Sequence, residues 1–465
     1  MHRITSVRVT NYRSIADHEF PLAEFTPLVG YNNAGKSNLL QAVNWLMKKS
    51  SLEAAAFRDP KLPVIVTAVA SGIDEDVLSA LGATHRTKIE PHLVDGTIVI
   101  RRIQHEPRAK ATDIKLEVRQ TASDGSETWG NPSGIDAAII HLFPEPIFIG
   151  AMEDATEDVA KFGSGTTIGK LIKEIMAPIT EAHSATVADA LADLSRKLSA
   201  KGEEKDQTLL DLDERIRTEL VNFFPGVTAK THIPTPGLED FFRGATIRIF
   251  EDGHEDPEGR DAGSFGHGAQ RSVQIALVTC LSRMKRETGS AAGRTTLLLI
   301  DEPELYLHPQ AIEVVRASLG RLAQDGYQVL FTTHSPLMVS RREASKALLI
   351  RRSEPDGTTA YPRIEEVVEE VIAEAENQAE TLFVLTNSAK ILFSERVLLT
   401  EGKTEHTVLP EVFAHEIGAT LEECKTALIA LGGVDSIPNA MRVLEAIGLP
   451  VKAVVDLDFA FRGAI

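Results

Sequence analysis

The chain has 465 residues, 43% hydrophobic and 25% charged, with 49 basic against 67 acidic side chains and a formal charge of −18. This composition describes a soluble globular protein of two or three domains and excludes one that coats nucleic acid with its whole surface, while no apolar run approaches the roughly 20 residues of a membrane span. Its two cysteines, Cys280 and Cys424, lie far apart and outside any CxxC pair, which excludes a disulfide framework or a cysteine zinc site and fits a reducing cytoplasm.

The start, MHRITSVRVTNYRSI, lacks the apolar core of a signal peptide. The first chemical motif is FTPLVGYNNAGKSNLLQAVNWLM (25–47). Gly30, Gly35, Lys36 and Ser37 fit GxxxxGK[ST], with Asn33 inside the loop. An apolar run precedes the loop, and Leu39, Leu40, Val43, Leu46 and Met47 repeat at helical spacing after it. Strand, glycine-rich loop and helix together cradle phosphates, because backbone N–H groups and the helix N-terminus present positive charge to an anion. Lys36 is expected to reach the β- and γ-phosphates of ATP, and the Ser37 hydroxyl to ligate Mg2+. The alternative is a glycine-rich turn before an ordinary helix.

A long insert follows. PVIVTAVA, GTIVIRR and IKLEVRQ read as strands, with turns at Asp95-Gly96 and Asp124-Gly125. They suit an antiparallel sheet. KFGSGTTIGKL (161–171) also contains a Gly-Lys pair, but Leu171 stands where Ser or Thr is required, so it reads as a loop. IGKLIKEIMAPI, ATVADALADLSRKL and QTLLDLDERIRTELVNFF are helical, and KGEEKD (201–206) reads as a polar turn between two of them. The heptads are too few for a long coiled coil. A helical appendage that makes a dimer contact is expected; a monomeric helical cap is the alternative.

DAGSFGHGAQRSVQIALVTCL (261–281) places Ser264, Gly266 and Gly268 ahead of a helical stretch, where N–H groups can meet an anion. TTLLLIDEPELYLHPQ (295–310) contains a continuous apolar run, as in a buried parallel strand, ending in Asp301-Glu302. Asp301 is expected to hold Mg2+, and Glu302 to position and polarise the attacking water. QVLFTTHSPLM (328–338) is a further strand run, ending at His334, which can hydrogen-bond a γ-phosphate. In RREASKALLIRR (341–352) five basic residues accompany Glu343. A phosphate contact and a solvated loop are both open readings there.

The last region alternates strand and helix: RVLLTEGKTEHTVLPEVF, TALIALGG, SIPNAMRVLEAIG and VKAVVDLD. Val408, Leu409 and Val412 line one side of its first helix. This β-α-β-α-β order favours a parallel sheet, in which function collects at the carboxyl ends of the strands. Glu401 stands at one such end, and Asp456 and Asp458 at another. Carboxylates converging there repel one another, and Mg2+ or Mn2+ relieves the repulsion. Plain surface acids at strand ends are the alternative.

Phosphate loop, small-residue signature, DE pair and histidine, in that order, resemble the ABC-type ATPase fold of RecF, Rad50 and SMC proteins. That resemblance implies a dimer sandwiching two nucleotides, each signature helix serving the partner's ATP. Gln104 and Gln120 are candidates for that family's glutamine loop. The strand-end Glu-Gly and later DxD resemble a Rossmann-like Toprim domain. An ABC-type ATPase with a helical dimerisation insert, followed by Toprim, is similar to the layout of the OLD (overcoming lysogenisation defect) nucleases. YRSI, GYNNAGKS, GHGAQR, DEPELYLHP, THSP and LLTEGKTEH carry the resemblance.

It implies an α/β protein with the ATPase at 1–160 and 233–390, the helical insert at 161–232 and Toprim at 391–465. It implies ATP-regulated, metal-dependent cutting of DNA, often against phage, with a partner protein of a defence system also in view. By position, Glu401, Glu405, Asp456 and Asp458 inherit metal binding, and Asp435 is a weaker candidate. A different reading keeps a DNA-binding ATPase clamp or sensor whose Toprim part is inactive and signals to a separate effector; an RNA-directed nuclease is a third. The sequence ends at Ile465, soon after Asp458. Because the family's domain continues further, a C-terminal portion beyond residue 465 is expected; an incomplete nuclease is the alternative.

Overall fold

The run RITSVRVTNY alternates buried Val7 and Val9 with solvent-facing Arg8 and forms the first strand, β1 (Arg3–Tyr12). The structure, a computed structural model, describes residues 2–121, 126–151, 182, 184–186, 188–220, 224, 227–234, 248–250, 258–261, 264–287, 294–354, 356–363, 366–367 and 391–456. Two units contain it: Met1–Met152 with Lys285–Ile465, and Glu153–Met284.

In the first unit β1 turns through Asn11 and Arg13, both at positive φ, into β2 (Ile15–Pro21). β3 (Phe25–Val29), β4 (Val64–Ser71), β5 (Ile98–Gln104), β6 (Lys115–Thr121), β7 (Glu127–Gly130) and β8 (Ile147–Ile149) follow. The second unit contains β9 (Arg248–Ile249) and β10 (Arg260–Asp261), which pair antiparallel. The first unit resumes with β11 (Thr296–Ile300), β12 (Tyr327–Thr333), β13 (Leu348–Ser353) and β14 (Gly357–Ala360). Among the described residues, twelve strands make one sheet, in the order β7-β6-β5-β4-β1-β2-β14-β13-β3-β12-β11-β8.

One half of the sheet, β7 to β13, is antiparallel. The other half, β13-β3-β12-β11-β8, is parallel. β4, β5 and β6 lie where the alternating runs PVIVTAVA, GTIVIRR and IKLEVRQ place them. At the tip before β5, Asp95 (φ 50°) and Gly96 (φ 69°) form a two-residue turn closed by Val94 and Thr97. The second expected turn, Asp124-Gly125, lies outside the described residues. β11 is covered on both faces, with Leu297, Leu298, Leu299 and Ile300 all fully buried. The helix Lys36–Met47 buries the five apolar residues that its periodicity selects.

The last region forms its own parallel sheet from β15 (Arg396–Thr400), β16 (Thr426–Ala430) and β17 (Val451–Val454), with β15 in the middle. The helix Ile437–Ala446 buries Ile437, Ala440, Val443 and Leu444. The helix Lys403–Ile417 departs from expectation. Its apolar side is present, but no residue of it is buried, and Val408 and Val412 are about half exposed. One apolar cluster joins this sheet to the large one: Val29, Val339, Ala344 and Leu349 pack with Val397, Leu399, Ile429 and Val443.

In the second unit, IGKLIKEIMAPI lies outside the described residues, whereas the helix Gln207–Leu220 is described. Its buried residue is Asp213, and Leu210, Leu212 and Ile216 are exposed. KGEEKD is not simply a polar turn. Lys205 is buried against Asp213, and it also donates to Thr231 O at 2.8 Å. Thr231 in turn donates both its N–H and its hydroxyl to Asp213 Oδ1, at 2.6 and 2.7 Å. Lys205, with help from Thr231, holds the Asp213 carboxyl down at about 2. A depressed carboxyl contributes stability that is present above its unfolded value of 3.8 and lost as pH falls through 2. Asp213→Asn should therefore lower the melting temperature of this unit at pH 7 and flatten its loss of stability between pH 4 and pH 2. Calorimetric scans at pH 7, pH 4 and pH 2 check this.

Candidate nucleotide and carboxylate sites

The phosphate loop leaves β3 at Gly30, whose α-carbon faces Ile350 O so closely that a side chain would collide with it. Gly35 (φ 103°) closes the loop against Thr358, and Asn33 also takes a positive φ of 63°. The resulting cleft, about 500 Å³, is lined by Asn33, Gly35, Lys36, Ser37, Glu302, His334 and Arg352. The structure thus brings together the phosphate loop, the DE pair and the histidine from separate strands.

Lys36 is buried, and its three donors are all engaged: Gly30 O at 2.9 Å, Tyr31 O at 3.0 Å and His334 Nε2 at 2.9 Å. Accepting from an ammonium requires a neutral His334 with a free lone pair on Nε2. Burial and the adjacent Lys36 charge both push the His334 pKa down, in agreement. Burial likewise lowers Lys36 to about 8, against the pull of Glu302, Asp301 and Glu304.

Asp301 Oδ1 accepts from Ser37 Oγ at 2.9 Å and from Thr332 Oγ1 at 2.5 Å. Hydroxyl and carboxylate side by side are hard oxygen donors of the kind Mg2+ takes, so these residues fit the ion that accompanies ATP. Glu302 has φ 47°, a conformation held by its N–H donating to Thr332 Oγ1 at 2.9 Å. Its Oε1 lies 3.4 Å from His334 Nε2. Glu304 accepts from His334 N at 2.8 Å and from Thr333 Oγ1 at 2.6 Å, fixing the end of β12.

Ser14, Glu304 and Thr332 lie inside quoted stretches but had no role of their own there, and Thr358 lies outside all of them. Ser14 Oγ accepts from Asn38 Nδ2 at 2.6 Å and from Thr358 Oγ1 at 2.8 Å, bracing the loop helix. The threonine pair directly before His334 was the available signal for Thr332. Arg352, the last residue of RREASKALLIRR, lines the cleft. Neither candidate glutamine reaches the cleft. Gln104 is buried and bonded to Leu52 N and O, and Gln120 lies on β6 beside Gly130. Ser264, Gly266 and Gly268 belong to the second unit, where the helix His267–Glu287 begins just after Gly266.

At the carboxyl edge of the small sheet, Thr400 pairs with Ala430 on one side and Val454 on the other. Glu401 follows Thr400 directly, and its carbonyl accepts Gly432 N at 2.9 Å. Among the described residues, the buried Glu401 Oε2 has no hydrogen-bond partner. An orphaned carboxylate oxygen at a strand end fits a divalent cation. Asp456 is exposed two residues past β17, on the same edge. Glu405 Oε2 accepts Gly402 N at 2.9 Å and caps its own helix. Asp435 sits in the short turn after β16, and Asp458 lies outside the described residues. Among the described residues, no three His, Cys, Asp or Glu side chains form a metal-holding group, and no helix is long and apolar enough to cross a membrane.

The AAA ATPase domain family matches residues 3–104 and 155–339, and the family described as overcoming lysogenization defect protein-like, TOPRIM domain, matches 392–458. The Old nuclease of Escherichia phage P2 is 39% identical over 457 residues, covering 98% of this chain and 77% of that protein. The OLD nuclease of Thermus scotoductus is 22% identical over 475 residues, covering 97% and 81%. Among solved structures, an Smc head bound to the C-terminal winged-helix domain of ScpA covers 79% of this chain and 99% of its own, with TM-score 0.45 and 14% identity. The large sheet built around a phosphate loop, the parallel strand-end glutamate and this shared length lead to one assignment: the chain belongs to the OLD nuclease family, an ATPase domain followed by a Toprim domain.

Proposed function

We propose that this chain is an ATP-regulated, divalent-metal-dependent DNA endonuclease or nickase acting in anti-phage defence in the cytoplasm. The buried, unpartnered Glu401 Oε2 carries the nuclease reading, because such an oxygen is costly without a cation. In this reading Glu401, Glu405, Asp456 and Asp458 hold Mg2+ or Mn2+. A bound divalent ion there supplies an activated water and charge neutralisation for phosphodiester cleavage. The ATPase occupies 1–160 and 233–390, the helical insert 161–232 and Toprim 391–465. Exposed Leu210, Leu212 and Ile216 support a dimer contact in the insert. The Old nuclease relative of phage P2 supports the nuclease reading, and the role against phage is carried over from the family resemblance.

In the ATP site, Gly30, Asn33, Gly35 and Lys36 bind the phosphates, Ser37 and Asp301 hold Mg2+, Glu302 positions water and His334 contacts the γ-phosphate. Ser264, Gly266 and Gly268 serve the ATP of the partner protomer. Glu302→Gln should slow hydrolysis by about 10²-fold or more while ATP stays bound, trapping a closed dimer. Sedimentation with ATP would show a monomer if this assignment is wrong. The function itself is tested by nicking of supercoiled plasmid with Mn2+, with and without ATP. Cleavage that stops on chelation supports it; hydrolysis of ATP with no cleavage under any metal supports the sensor reading instead.

A further inference from the structure

The nucleotide loop does not end at its cleft. Tyr31, the residue after Gly30, is tied by its hydroxyl to β13: Oη donates to Arg352 O at 2.8 Å and accepts from Arg352 N at 3.0 Å. Two cations lie over its ring. The Arg351 guanidinium carbon is 5.6 Å from the ring centroid and Lys425 Nζ 5.7 Å, both within cation–π range.

Both cations are fastened to the Toprim domain. Arg351 Nη2 donates to Ser394 O at 2.9 Å, and Lys425 Nζ pairs with Glu395 Oε1 at 2.6 Å. Ser394 and Glu395 lead directly into β15, and Lys425 into β16. Glu395 N also donates to Lys425 O at 2.9 Å, so the amino-terminal ends of the two strands are fastened together. The far end of β15 is where Glu401 stands. Val29, just before the loop, lies in the same apolar cluster as Val397 and Leu399 of β15.

The other end of this chain of contacts is Lys36, whose ammonium donates to Tyr31 O at 3.0 Å. A phosphate in the cleft competes for that ammonium, and the carbonyl it releases belongs to the residue that touches Toprim. We propose that Tyr31, bracketed by Arg351 and Lys425, is the positioning residue that conveys the nucleotide state of the loop to the Toprim sheet. This deepens the ATP regulation proposed above and rests on the phosphate-loop assignment.

The test is hydrogen exchange of the full chain, following amides 394–400 and 425–430 before and after addition of a non-hydrolysable ATP analogue. Lys425→Met keeps the side chain's length and removes its charge. The wild type should change its exchange at both strand starts. In Lys425→Met that change should shrink by about fivefold or more, while affinity for the analogue stays within about twofold. Glu395→Gln breaks the ion pair but leaves the ring contact, and should respond like the wild type. An undiminished response in Lys425→Met overturns the proposal. So does a response lost equally in Glu395→Gln, which would assign the coupling to the ion pair alone. Analogue binding by the wild type without any response overturns it while leaving the nucleotide site intact. Absence of analogue binding overturns the site and the proposal with it.

Discussion

Lys36→Ala should abolish measurable ATP binding. The Lys36 ammonium is buried with three acceptors, and two of them are backbone carbonyls of the loop itself. It therefore also holds the loop in shape. Charge-assisted hydrogen bonds contribute about 1.5–3 kcal/mol each, so losing two phosphate contacts should weaken binding by at least about 10²-fold. Lys36→Arg should fail too, because the planar guanidinium cannot replace a compact ammonium among three acceptors. Equilibrium binding of a fluorescent ATP analogue checks both variants, with circular dichroism to confirm folding. Retained affinity in Lys36→Ala would contradict the phosphate-loop assignment.

Glu401→Ala should reduce metal-dependent DNA cleavage by at least about 10²-fold, since even residues that only support a metal ligand change activity by about 10–100-fold. ATP hydrolysis should stay within about twofold, because Glu401 is no part of the cleft around Lys36. The structure adds a second expectation. Removing a buried oxygen that lacks a partner relieves a desolvation penalty instead of breaking a bond. The metal-free variant should therefore melt no lower than the wild type, and the difference should reverse when Mn2+ is added. Paired melting curves with and without Mn2+ test this. A large destabilisation in chelator would mark Glu401 as a structural residue.

Much of this was legible because it is local. The phosphate loop, the apolar strands before Asp301 and His334, and the helix face of Leu39, Leu40, Val43, Leu46 and Met47 each follow from a few neighbouring residues. The alternating runs that became β4, β5 and β6 belong to the same class. Long-range pairing was not legible. The single bridge between Gly357 and Ile15 that carries the antiparallel half across to β13 has no local signature. Thr332 and Thr358 read as ordinary β-branched strand residues until Asp301 and Gly35 are placed against them. Lys205 looked solvated because its partner, Asp213, sits on the following helix. Gln104 resembled a candidate ligand contact only while its bonds to Leu52 were unseen. Spacing alone also left Glu405 two roles, metal ligand and helix cap. The cap is present in the structure, and the ligand role stays within the proposed function.

Glu401 and the acids at the ends of the small parallel sheet should bind a divalent ion apart from the nucleotide cleft. Calorimetric titration of Mn2+ into the nucleotide-free full chain, wild type against Glu401→Ala, tests it most directly. The wild type should show a binding event that is missing in the variant. Identical uptake in the two proteins would contradict it.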